Sequence, residues 1–189
     1  MLDTLDKVKT DAVARLGRAA KDRRSAMHTP VVATADADTR VMVLRAFSPW
    51  ILRFHTDTRA PKVAVIRRDP QVGVLFYDKA EKVQIRVRGV ARIESEGDVA
   101  EAAWEASDNY ARRCYLGEGP GAACGQPSSG LPGAFEGVEP TDAQLAPARP
   151  NFAVLLVDIR ELDWFYLAHD GHRRAQFDLV TGDARWVTP

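Results

Sequence analysis

Between Arg40 and Gly89 the chain carries four short segments whose side chains suit an anionic, heterocyclic ligand. Arg40-Val41-Met42-Val43-Leu44-Arg45 has an apolar, strand-like centre closed by an arginine at each end. His55-Thr56-Asp57-Thr58-Arg59-Ala60-Pro61-Lys62 leads from a strand end into a short helix, and Phe76-Tyr77 closes the next strand. Gln84-Ile85-Arg86-Val87-Arg88-Gly89 completes the set. A strand-to-helix turn presents backbone N–H groups and the positive end of a helix dipole to a phosphate. Thr56 can add a hydroxyl, and Arg59 and Lys62 add charge-assisted donors. Gln84 offers an amide donor and an acceptor, which suits the edge of a heterocycle. A phosphorylated flat ligand would use all of these groups. Each segment alone also has a plain structural explanation: Arg86 and Arg88 as the solvated face of an alternating strand, Arg40, Arg45 and His55 as strand ends.

The charge distribution points the same way. The 189 residues hold 26 Lys and Arg against 26 Asp and Glu, so the net charge is zero. That balance argues against a general nucleic-acid binder or a membrane-surface protein, which would be basic overall. Residues 40–92, however, contain 12 basic and 4 acidic side chains, a balance of +8, whereas residues 93–172 contain 4 and 14, a balance of −10. A positive stretch inside a neutral chain suggests a small phosphorylated partner.

Other classes lack their signatures. No apolar run approaches the ~20 residues of a membrane span, and residues 1–26 have no apolar core of a signal peptide. Cys114 and Cys124 have no partners at metal-ligand spacing and read as two reduced thiols of a cytoplasmic protein. His169 and His172 flank a turn without a third ligand, so no zinc site is expected. There is no P-loop and no G-x-S-x-G elbow, and Gly117 to Gly125 neither follows a strand nor opens a helix as a dinucleotide fingerprint would.

The elements that must position these residues are mostly strands. Leu2, Leu5, Val8, Ala12, Val13, Leu16 and Ala19-Ala20 recur at helical spacing and predict an amphipathic helix over residues 3–26. Strands are predicted at 31–35, 39–47, 50–56, 71–77 and 82–94, with a Ser48-Pro49 hairpin turn and a short helical segment within 59–68. A second helix is predicted over 96–113 and a long, functional loop over 117–150. Strands at 152–167, 172–179 and 184–187 follow, separated by turns at Asp170-Gly171 and Thr181-Gly182-Asp183. Seven or eight strands joined mainly by hairpins predict a mainly β fold, an antiparallel β-barrel with flanking helices, in one domain spanning 1–189.

In this order the segments resemble the pyridoxamine 5'-phosphate oxidase family, whose members are split β-barrels that bind FMN. The family pattern runs through an Arg-x-Val-Leu-x-Lys/Arg strand, a strand ending Tyr/His-Thr, a Ser-x-Lys turn, a strand ending Phe-Tyr/Trp and a Gln-x-Arg-x-x-Gly strand. Here these are Arg40 to Leu44-Arg45, His55-Thr56, Ala60-Pro61-Lys62, Asp69-Pro70 to Phe76-Tyr77, and Gln84-Ile85-Arg86 to Gly89. The resemblance implies that Arg40 and Lys62 bind the FMN phosphate with help from Thr56, Arg59 and nearby backbone. It places Val41, Met42, Val43, Leu44 and Arg45 along the isoalloxazine and Gln84 at its polar edge. His55, Gln126 (from a second subunit), Trp164 and Arg174 are further FMN contacts, with a slip that would put Tyr166 in place of Trp164 as the alternative. Arg45, Arg113 and His172 are the implied substrate contacts.

The departures weaken the substrate assignment more than the flavin one. Ala60 replaces the phosphate-binding serine, Arg45 replaces a lysine, Tyr110 is offset by one residue, Gly117 stands where a serine belongs, and Asp170 replaces the C-terminal arginine. The implied function is thus an FMN-dependent oxidoreductase of open substrate, a homodimeric cytoplasmic flavoprotein with no nucleic-acid or membrane partner and no metal. A flavin-, haem- or F420-binding split barrel without turnover is the alternative.

Overall fold

The computed structural model describes residues 2–169 and 171–189; Asp170, half of the expected Asp170-Gly171 turn, lies outside the described residues. The elements are α1 (Leu5–Lys21), β1 (Val31–Thr34), β2 (Thr39–Val41), β3 (Ala46–Ser48), β4 (Ile51–Asp57), α2 (Pro61–Arg68), β5 (Gln71–Asp78), β6 (Val83–Glu94), α3 (Asp98–Glu105), α4 (Asn109–Arg112), α5 (Asp142–Leu145), β7 (Phe152–Tyr166), β8 (Arg173–Asp178) and β9 (Ala184–Val187). The nine strands form one antiparallel sheet in the order β2-β1-β5-β6-β7-β4-β3, with β8 added to β7 and β9 to β8. The fold is therefore mainly β with flanking helices, as expected. No described helix is long and apolar enough to cross a membrane.

The residues pack as two compact units. The first takes the chain up to Phe54, Asp69–Arg92 and Leu156 onward; the second takes His55–Arg68 and Ile93–Leu155. In the first, α1 starts at Thr4, whose hydroxyl accepts from the Lys7 N–H, and buries Val8, Ala12, Leu16 and Ala19 along one face. Alternation does the same work in the strands. Val74 pairs with Val87 and Phe76 with Ile85 toward the core, while Leu75 pairs with Arg86 and Tyr77 with Gln84 on the outer face. Leu162, Trp164, Ala175 and Phe177 bring β7 and β8 into the same core. The glycine of Gln84-x-Arg86-x-x-Gly89 has a packing reason: a Cβ at Gly89 would lie 2.5 Å from the Asp158 carbonyl oxygen and 2.7 Å from Val157 Cγ1.

The second unit centres on aromatic rings. Phe152 meets His55 edge-on at 5.0 Å between centroids and lies 5.2–5.3 Å from Tyr115 and Trp104. Arg149 sits over Trp104 and makes two hydrogen bonds to Glu101, at 2.6 and 3.2 Å. α2 contributes Val63 and Ile66, and α3 contributes Ala100 and Ala103.

Several expected boundaries move for local reasons. The first helix stops at Lys21 rather than residue 26, because Asp22 is extended and its carboxylate accepts from the Arg24 N–H. The single strand expected over 39–47 is two strands, since residues 42–45 leave the ladder: Met42, Leu44 and Arg45 donate their N–H groups to Pro30, His28 and Arg53 carbonyls. The Ser48-Pro49 turn is present between β3 and β4, with Trp50 at φ +60° and its carbonyl accepting from Ile159. The helix expected over 96–113 breaks at Ser107-Asp108. There Asp108 caps a new start by accepting from the Ala111 N–H. The long loop 117–150 is not wholly irregular, for Thr141 and Gln144 form a capping box that opens α5.

Candidate functional site

In the second unit, the turn from β4 into α2 is built around Asp57, which is 7% exposed. Its carboxylate accepts from the Arg59 N–H at 2.8 Å, from Arg59 Nε at 2.9 Å and from Arg59 Nη2 at 2.7 Å. Arg59 Nη1 donates onward to the Gly117 carbonyl at 3.0 Å. These bonds to Asp57 raise the Arg59 guanidinium further above its ordinary value. Arg59 therefore does not stand free for a phosphate; it ties the 117–121 segment to the start of α2. Gly119 lies against Arg59, where an added Cβ would come within 3.3 Å of the Arg59 Cβ, and Gly121 takes φ +87° beside Pro61. Asp57 is the residue that sequence reasoning missed, although the Asp-x-Arg spacing of an Asx turn was in view.

The other residues of this unit divide. Thr56 is buried at the strand end, 4% exposed, and Lys62 is half-buried in the first turn of α2. Both belong to the turn into α2, where the Thr58, Arg59, Ala60 and Val63 N–H groups are taken by Asn151, Asp57 and Ala60 oxygens. Gln126 is exposed in the loop. Arg113 closes that loop by donating to the Phe135 and Val138 carbonyls, and its guanidinium lies 4.0 Å above the Tyr110 ring.

In the first unit, Arg40 is tied into its own hairpin. It donates to the Val32 carbonyl at 3.3 Å and Thr34 Oγ1 at 3.0 Å and pairs with Asp38. Met42 and Leu44 point into the core, while Val41 (65% exposed), Val43 and Arg45 face outward. Val41, Val31 and Leu75 are direct cross-strand neighbours, and Tyr77 stands opposite Gln84 one step further on. An apolar outer face thus lies next to the Gln84 amide, which has no side-chain partner among the described residues.

Further along, Trp164 is 1% exposed, and its Nε1 donates to Asp11 at 3.3 Å. Tyr166 stacks on it at 6.2 Å and is the half-exposed ring of the two. Arg174 holds Asp163 through Nε at 3.1 Å and Nη2 at 2.7 Å, joined by Gln176 at 3.0 Å and Arg86 at 2.9 Å. Burial pushes the Asp163 carboxyl up, but the hydrogen bonds from Arg174, Gln176 and Arg86 outweigh it and hold the group below its ordinary value. His172 lies edge-on to Phe165 at 5.6 Å, lining an open groove with Arg174 and Trp186.

Part of the positive stretch is neutralised from within. Arg86 pairs with Asp163, Arg88 with Glu161 and Arg92 with Asp158, so the basic outer face of β6 meets the acidic outer face of β7. These three cations answer carboxylates that are distant in sequence and adjacent in the sheet.

The architecture is that of an antiparallel split barrel with flanking helices. Residues 16–163 match the family described as pyridoxamine 5'-phosphate oxidase, and the chain belongs to that family. A pyridoxamine 5'-phosphate oxidase-related, FMN-binding protein from Nostoc punctiforme PCC 73102 is 25% identical, with a TM-score of 0.74 over 95% of this chain and 96% of its own. PhzG from Burkholderia lata 383, solved with tetrahydrophenazine-1-carboxylic acid, is 15% identical, with a TM-score of 0.63 over 96% and 88%. General stress protein 26 from Bacillus anthracis str. Sterne is 17% identical, with a TM-score of 0.51 over 81% and 92%. The last two share the fold. No curated protein matches the chain.

Proposed function

We propose that residues 1–189 form one FMN-binding domain and that the protein is a cytoplasmic, homodimeric, FMN-dependent oxidoreductase acting on a small molecule. The observation that carries the proposal is the built turn from Thr56 through Asp57 and Arg59 into α2, in a chain that the FMN-binding relative matches almost end to end. The donor set fits the cofactor in part. In the second unit Thr56 and Lys62 suit its phosphate; in the first, Gln84, beside the outward Val41, Val43 and Leu75, suits the polar edge of a flavin ring. Arg40, Arg59 and Arg174 fit less directly, because each already holds a carboxylate.

Bound FMN would supply the redox chemistry, which side chains cannot. The chain's own residues bind and orient. Lys62 and the α2 dipole offset the phosphate charge, and Arg59 holds the 117–121 segment against the turn. Gln84 fixes one ring edge, with Tyr166 rather than Trp164 as the accessible aromatic of β7. Dimerisation would bring Gln126 to the flavin of the other subunit, the arrangement the family pattern implies.

Purification followed by denaturation and chromophore identification tests the proposal. A yellow protein that releases FMN agrees with it, whereas a colourless one that gains no thermal stability from FMN overturns it. Lys62→Ala should weaken FMN by roughly ten- to a hundredfold, the 1.5–3 kcal/mol of a hydrogen bond to a charged group, and leave riboflavin nearly unchanged. Turnover of pyridoxamine 5'-phosphate, followed through pyridoxal 5'-phosphate, separates an oxidase from a binding module.

A further inference from the structure

Among the twelve basic residues of the positive stretch, two stand apart. Arg40, Arg59, Arg86, Arg88 and Arg92 are paired with carboxylates, and Lys62 is engaged as well. Arg67 and Arg68 are exposed in the last turn of α2, where cations are favourable, and Lys79 and Lys82 are exposed beside the β5–β6 turn. Arg45 and Arg53 have no carboxylate and no side-chain hydrogen bond among the described residues. Arg53 is half-buried, and its Nε is sealed from solvent without an acceptor.

The backbone brings these two together. Ala46 is the ladder partner of Arg53, yet the N–H of Arg45 also donates to the Arg53 carbonyl, at 2.8 Å. Two residues of the 42–48 segment thus oppose one residue of β4, the geometry of a bulge, which sets Arg45 beside Arg53 in the ladder. Like charges side by side on a sheet repel, and a desolvated guanidinium nitrogen without an acceptor is unfavourable. An acceptor from outside the chain would offset both costs. Two planar guanidinium forks match a carboxylate or phosphate better than any neutral group.

We propose that Arg53 completes with Arg45 a two-arginine site for the oxyanion, carboxylate or phosphate, of the small-molecule substrate, and so sets substrate class. The proposal rests on the flavin reading only in calling the anion a substrate.

The test is a titration of the purified full chain, with and without added FMN and at fixed ionic strength, with inorganic phosphate and with benzoate. Calorimetry and thermal shift are the readouts, and Arg53→Met, Arg53→Lys and Arg45→Gln are the variants. Saturable binding of one probe is expected, and which probe binds assigns phosphate or carboxylate. Arg53→Met and Arg45→Gln should each weaken that binding about tenfold, with Arg53→Lys in between. Arg53→Met should melt no lower than the wild type without anion, since it removes an unsatisfied buried nitrogen. The FMN-to-riboflavin affinity ratio should not change. Binding of neither probe, binding indifferent to Arg53→Met, a lowered melting temperature in that variant, or a fall in the FMN-to-riboflavin ratio each overturns the proposal. Anion binding without FMN binding would sink the flavin reading alone.

Discussion

Asp163→Asn isolates the most heavily bonded carboxylate of the first unit. Asp163 accepts from both Nε and Nη2 of Arg174, from Gln176 and from Arg86, and its side chain is only 16% exposed. Asparagine keeps the shape, removes the charge and turns an NH2 group toward guanidinium donors. Hydrogen bonds to charged groups contribute about 1.5–3 kcal/mol each. Arg86 and Arg174 are 44% and 26% exposed and can rehydrate, which limits the net loss to about 2–3 kcal/mol. For a chain of this size that lowers Tm by roughly 4–12 °C near neutral pH. The pH dependence has a definite sign. A carboxyl held below its ordinary value of 3.8 stabilises the fold above that value, and the contribution fades as pH falls through the lower, folded one. Asparagine does not titrate, so the gap between wild type and variant should be full near neutrality and should narrow below about pH 4. Thermal unfolding followed by circular dichroism across this range measures it. A gap below about 2 °C at neutral pH, or one that is just as large at the acid end, would refute the reasoning.

Arg59→Ala leaves Asp57 buried without its cation and releases the Gly117 carbonyl. It should destabilise by about 2–3 kcal/mol and speed cleavage after Glu118 by a glutamate-specific protease. Unchanged cleavage would separate Arg59 from the 117–121 segment. Gly89→Ala forces a methyl to within 2.5 Å of the Asp158 carbonyl oxygen, so an overpacking cost of about 1–3 kcal/mol or more should appear as lost Tm or lost soluble protein. A variant that melts with the wild type would show that β6 and β7 can separate there freely.

The elements legible in the sequence were those that local patterning determines. Alternation from Val83 to Glu94 and the 3.6-residue spacing of Val8, Ala12 and Leu16 reappear as β6 and α1 with the expected faces buried. The break at Asp108 and the opening of α5 at Thr141 carried cap signals that composition alone outweighed, Asp-x-x-Ala in one case and Thr-x-x-Gln in the other. The departure of residues 42–45 from the ladder was not legible, because it depends on Pro30, His28 and Arg53 lying on either side. In the candidate site, residue types pointed to the turn from β4 into α2 and to the outer face beside Gln84. They could not show that Arg40, Arg59 and Arg174 already hold Asp38, Asp57 and Asp163, since the first bond depends on how a hairpin closes, the second on how the strand-to-helix turn folds, and the third on the pairing of β7 with β8. The resemblance makes Trp164 an FMN contact, and nothing local shows that its ring is buried. Its bond to Asp11 spans 153 residues of sequence.

The charge ladder between β6 and β7 also bears on how fast a ligand can find this protein. Each Arg–carboxylate pair is a short dipole whose field decays within about one Debye length, some 8 Å at physiological salt. Such a face exerts little pull on a distant anion, so an anionic ligand meeting the protein at that face should associate with a shallow ionic-strength dependence.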